Sequence, residues 1–110
     1  MQFMGALYVG ESLSEKEHEI VKKVHNKQLV PNLYLLTFSS NKDNMLDLIP
    51  EWEALQSYYP SDELKVVGIA NGKKEAISLV KMIIEESISE IGSPDIREFL
   101  KRMWEGQACR

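Results

Sequence analysis

The sequence predicts an α/β fold: a small parallel sheet of two or three strands, packed with four or five helical segments. Three observations predict it. The first is the run at residues 64–70, apolar and β-branched enough for a strand buried on both faces, with Lys65 near its entrance. Asn71-Gly72 then turns the chain. That pair also suits a two-residue hairpin, but the apolar residues that follow (Ala76, Ile77, Val80, Ile83, Ile84, Ile88 and Ile91) recur at spacings of three and four, which is helical. The second observation is a weaker copy of the same unit upstream. Residues 33–39 have strand length and apolarity, residues 40–43 make a turn, and Met45, Leu46, Leu48 and Ile49 open a helical face. The third is the order that results, β-α-β-α, which favours parallel strands joined by a right-handed crossover.

Taken along the chain, residues 4–10 are apolar but bounded by Gly5 and Gly10, so they form either an extra N-terminal strand or an extended arm. Ser14 followed by Glu17 has the spacing of a capping box, and a helix with a narrow apolar stripe (Ile20, Val21, Val24) should run from there to about residue 28. Pro31-Asn32 breaks the chain before the strand at 33–39. The helix expected after Asp43 meets Pro50, which lacks an N–H and forces a kink or stop. A second helical piece is expected over 50–58, with Trp52, Leu55 and Tyr59 on its buried face. The long helix should span about 73–90 and end at Gly92 in a left-handed cap. Its apolar arc is wide enough to make it central to the domain or to seat it against a second subunit. Ser93-Pro94 suits a cap and first helical position, and Ile96, Phe99, Leu100, Met103 and Trp104 then give a clear amphipathic helix. Residues 106–110 are expected to fray. Gly68, in the middle of a buried strand, marks a place of close approach.

At 110 residues one domain is expected, and 44% hydrophobic with 27% charged residues is ordinary globular composition. No apolar run approaches membrane-spanning length, and the first ten residues lack the pattern of a signal peptide. The single cysteine, Cys109, has no intramolecular partner; with the other features it favours a cytoplasmic protein. A net charge of −4, with basic residues scattered among acids, argues against nucleic-acid binding.

Two function classes follow. The first is an interaction module that self-associates, most simply as a homodimer. A small sheet leaves open edges, and the helices carry broad apolar faces; Ile84, Ile88, Phe99, Met103 and Trp104 are the candidate interface residues. The second is a binder, or enzyme, for an anionic small molecule such as a phosphate compound. If the strands are parallel, the loops after them share one rim of the sheet, and Ser39, Ser40, Asn41, Lys42, Asn71, Gly72 and Lys73 would line it beside helix N-termini. No cofactor motif accompanies these loops: residues 68–72 are not GxGxxG, and residues 71–74 are not a Walker loop. His18 and His25 have no companion ligands, so no metal is expected. Glu51 with Glu53, and Glu85 with Glu86, read as solvated helix faces. No constellation defines catalysis.

Overall fold

In chain order the elements are β1 (Gln2–Val9), a 3₁₀ turn (Glu11–Lys16), α1 (Glu17–His25), β2 (Leu33–Phe38), β3 (Leu46–Pro50), the short α2 (Glu51–Ala54), a second 3₁₀ turn (Ser61–Glu63), β4 (Lys65–Asn71), α3 (Lys73–Ile91) and α4 (Ile96–Glu105). The structure is a computed structural model; it describes residues 1–39 and 45–106, Ser61 by its backbone alone. The strands form one mixed sheet in the order β1-β4-β2-β3. Strand β4 runs parallel to β1 and antiparallel to β2, and β2 and β3 form an antiparallel hairpin.

The sheet sorts its side chains by alternation, successive residues pointing to opposite faces. Phe3, Leu7, Leu33, Leu35, Ile49, Val66 and Ile69 meet Leu13 and the α1 stripe Ile20, Val21 and Val24 on one side. Met4, Leu36, Val67 and Ala70 meet Ala76, Leu79, Ile83, Ile96, Phe99 and Leu100 of α3 and α4 on the other. Strand β4 is therefore buried on both faces, as its sequence predicts; each Val or Ile removed from water there contributes on the order of 1.5–3 kcal/mol. Gly68 is the close approach that a mid-strand glycine marks. The β2–β4 register shifts between Leu36 and Thr37, so β4 carries one extra residue there, a bulge at Val67-Gly68. A Cβ at Gly68 would lie 3.2 Å from the Tyr8 carbonyl oxygen and 3.3 Å from Leu36 Cδ2.

The structure corrects four expectations. Strands β2 and β4 are antiparallel, not parallel; the parallel partner of β4 is β1, so the N-terminal strand is real and forms one edge of the sheet. Residues 46–50 are a strand, because Leu46, Leu48 and Ile49 pair with Phe38, Leu36 and Leu35 across a hairpin. The helical piece expected over 50–58 shrinks to Glu51–Ala54, and Trp52 is exposed rather than buried. The helix expected from Ser14 opens instead as a 3₁₀ turn, and neither it nor α1 has a side-chain N-cap bond. By contrast α3 ends as read, at Gly92 in the left-handed conformation, φ +69°, its N–H on the Ile88 carbonyl. Helix α4 is capped two residues later than expected: Asp95 accepts from the Glu98 N–H, and Ser93 Oγ accepts from the Asp95 N–H. Gly106 closes α4, and residues 107–110 of the expected frayed tail lie outside the described residues.

The bulge gives a test. Gly68→Val drives branched carbons into the Tyr8 carbonyl and Leu36, and should destabilise the fold by about 1–3 kcal/mol, read as a lower urea midpoint at unchanged slope. An unchanged midpoint would show that the strand at 68 is not closely packed.

Candidate functional site

The antiparallel β2–β4 pairing decides what becomes of the two expected ligand loops. Leu33 faces Asn71 and Thr37 faces Val66, so Ser39 leaves the sheet at the end opposite Asn71, Gly72 and Lys73. No shared rim exists. Ser39 is buried, and its carbonyl accepts from Arg97 Nη2 at 3.2 Å; Ser40, Asn41 and Lys42 lie outside the described residues.

At the Asn71 end a different junction forms. Strands β1 and β4 are parallel neighbours whose chains depart to opposite faces, β1 toward α1 and β4 toward α3. That is a topological switch point, with a crevice of about 720 Å³ lined by Gly10, Asn71, Glu75 and Leu79. The chain's own carboxylate sits in it. Glu75 Oε1 accepts from the Asn71 N–H at 3.0 Å, and both its oxygens accept from Ser12 Oγ, at 2.9 and 2.7 Å. The Gly72 N–H goes to the Asn32 carbonyl at 2.8 Å. Gly10 makes room for this carboxylate, since a Cβ there would stand 1.8 Å from Glu75 Oε1. Two of the N–H groups in the expected anion cradle are thus already bonded within the chain. Lys73 is exposed.

The candidate interface residues divide. Phe99 is consumed by the core, and Met103 and Trp104 are half-buried against it. Ile84 is half-buried and Ile88 exposed, and they belong to a flank of α3 with Ile77, Val80 and Ile91 that turns toward β3. Strand β3 is the outer strand on that side, bonded through β2 alone. Its Leu46 and Leu48 point to the α3 face but are only partly covered. Between strand and helix lies an open groove of about 350 Å³, lined by Met45, Leu46, Leu48, Ile77, Val80, Ile84 and Ile96, every one apolar. An unsatisfied strand edge beside an uninterrupted apolar strip is the strongest interaction feature among the described residues.

One acid escapes sequence reading altogether. Glu51, expected on a solvated face, is fully buried at the β3–α2 junction. Its Oε1 accepts from the Val30 N–H at 2.6 Å, tying the loop before β2 to the hairpin, while Oε2 has no partner among the described residues. Burial pushes the carboxyl above the usual glutamate range, only partly offset by the Val30 N–H. Tyr8, on the other face, donates its hydroxyl to Glu86, and burial together with that carboxylate pushes its phenol up. Among the described residues no three His, Cys, Asp or Glu side chains cluster to hold a metal, and no helix is long and apolar enough to cross a membrane.

The fold is a small mixed-sheet α/β domain with β1 and β3 as its edge strands and an open apolar groove beside β3. No family model, curated protein or solved structure matches the chain, so its functional reading rests on this geometry.

Glu51 makes stability depend on pH. Its carboxyl holds a proton more tightly folded than unfolded, so the folded state gains relative stability at low pH and loses it as pH rises from about 4.5, the ordinary value, through the raised one. Glu51→Gln keeps the acceptor for Val30 and removes the ionisation. The difference in unfolding free energy between variant and wild type, measured in urea at several pH values, should shift in favour of the variant by up to about 1.4 kcal/mol per pH unit across that window. Parallel pH profiles would mean that Glu51 ionises alike in both states.

Proposed function

We propose that this chain is an interaction module that pairs with a second copy of itself about a two-fold axis, through the β3 edge and the groove beside it. The observation that supports this reading best is the coincidence of two unmet demands at one place: the open hydrogen-bonding side of Leu46–Pro50, and the apolar strip formed with Ile77, Val80 and Ile84. A strand laid antiparallel on its own copy satisfies both partners with one operation, since the same residues serve on each side. Centring the axis on Leu48 sets Asp47 directly across from Ile49 of the second copy, so the two Asp47 carboxylates do not face each other. Pro50 has no N–H and limits the new ladder to the residues before it.

The helices favour the same arrangement. The flank of α3 next to the groove carries Ile77, Ile84 and Ile88 with Lys81 and Glu85 on its outer side. In an antiparallel apposition of two such flanks, the isoleucines close the strip and Lys81 of one copy reaches toward Glu85 of the other. The alternative occupant, a different protein adding a strand or a helix, lacks this self-complementarity.

Sedimentation velocity tests the reading. The wild-type chain should sediment as a dimer at micromolar concentration, and Ile77→Glu with Ile88→Glu, both at solvent-exposed positions, should return it to monomer with little change in thermal stability. A wild-type monomer at about 100 μM, weaker than any stable interface of standard size would allow, overturns the proposal, as does a doubly substituted chain that still dimerises.

A further inference from the structure

The antiparallel order that separates the expected loops builds a different site at the far end of the sheet. Phe38 is the last residue of β2 and Lys65 the first of β4, and the pairing of Thr37 with Val66 brings them together. Helix α4 crosses that end. Its buried side is Ile96, Phe99 and Leu100, so Arg97, Lys101 and Trp104, at i, i+4 and i+7, fall together on a neighbouring face. The result is a cleft of about 330 Å³ lined by Phe38, Lys65, Arg97, Lys101, Trp104 and Glu105.

Its chemistry is unlike the rest of the molecule. Phe38 and Trp104 meet edge to face, centroids 6.0 Å apart at 79°, and form an aromatic wall. The Lys65 ammonium stands 5.8 Å above the Trp104 ring, held there by cation–π attraction. Arg97 is anchored by donating to the Ser39 carbonyl. Three cations thus converge on one small cleft in a chain whose net charge is −4. Among the described residues neither Lys65 nor Lys101 forms an ion pair with a carboxylate; the pairs there are Lys23 with Glu19 and Arg102 with Glu98. Lys65 and Lys101 outnumber Glu105, the carboxylate that lines the cleft with them, and the excess positive charge attracts an anion.

We propose that this cleft binds a small phosphorylated molecule bearing a flat ring, of the mononucleotide class. The phosphate lies between Lys65 and Lys101, and the ring lies along the Phe38–Trp104 wall, where one end of the cleft is apolar and the other cationic. The volume suits a ligand of that size and excludes a larger one from full enclosure. The cleft is distinct from the β3 groove, so this site does not depend on self-association.

Trp104 is its own reporter. Trp52→Phe removes the only other tryptophan, which is exposed. Titrating that variant with AMP, adenosine and inorganic phosphate at low salt should give a saturable change in Trp104 emission with AMP, and affinities at least about tenfold weaker for adenosine and for phosphate. Lys65→Ala and Lys101→Ala, both exposed positions, should each weaken AMP about tenfold. Calorimetric titration of the unaltered chain with AMP gives the same reading without any tryptophan substitution. The proposal is overturned if AMP shows no saturable binding up to about 10 mM, if adenosine binds as well as AMP, if phosphate alone does, or if the lysine variants bind AMP unchanged.

Discussion

The hydrogen-bonded pairing of β4 with β2 is the constraint from which the rest of this structure follows. Strand β4 has Val66, Val67, Ile69 and Ala70 sealed from solvent on both faces. Each backbone polar group there must find its partner in a neighbouring strand, since leaving one unmet in such a setting costs about 1–3 kcal/mol. Strand β1 supplies one side and β2 the other. Because β2 runs against β4, the chain ends its second strand beside the beginning of the fourth, and every loop position is set by that reversal. The Gly68 bulge belongs to the same constraint. It lets the Tyr8 backbone and the Leu36 side chain come within contact of a strand that has no room for a Cβ.

Coverage of this sheet is unequal. One face receives two substantial helices, α3 and α4; the other receives α1, the 3₁₀ turn before it and the four-residue α2. Yet it is the better-covered face that leaves apolar surface open. Helix α3 spends its deepest residues, Ala76, Leu79 and Ile83, on the middle of the sheet. Its flank of Ile77, Val80 and Ile84 lines the groove beside β3, and among the described residues no further helix closes that gap. On the opposite face the hairpin is closed by Ile49 and by the buried Glu51 carboxyl, which bonds the Val30 backbone that would otherwise lack an acceptor. A single polar group does there what a helix would have to do on the other side.

What the sequence revealed depended on length. Residues 64–70 and the helix after Gly72 were legible because the apolar spacing persists over many residues and a left-handed glycine ends it. The stretch at Met45, Leu46, Leu48 and Ile49 was not. Over five residues the same spacing fits one turn of helix or one face of a strand, and only the partner β2 decides between them. That one ambiguity propagated. A helix at 45–49 makes the link to β4 a crossover and the strands parallel; a hairpin makes them antiparallel and moves Ser39 to the far end from Asn71. Glu51 was illegible for a related reason, since its burial is created by the loop at Val30, remote in sequence. So was the cleft, whose cations come from β4 and α4 and look like isolated charges when read along the chain.

The start of α4 joins the two surfaces. Ile96, sealed at the floor of the β3 groove, and Arg97, at the cleft, are successive residues of its first turn, and Asp95 pins that turn through the Glu98 N–H. Ser87 Oγ, itself buried, donates to the Ser93 carbonyl at 2.6 Å and so fastens the α3–α4 connection to the helix that carries the apolar flank. The first turn of α4 thus contributes one residue to each surface, and the same two hydrogen bonds hold both residues in place.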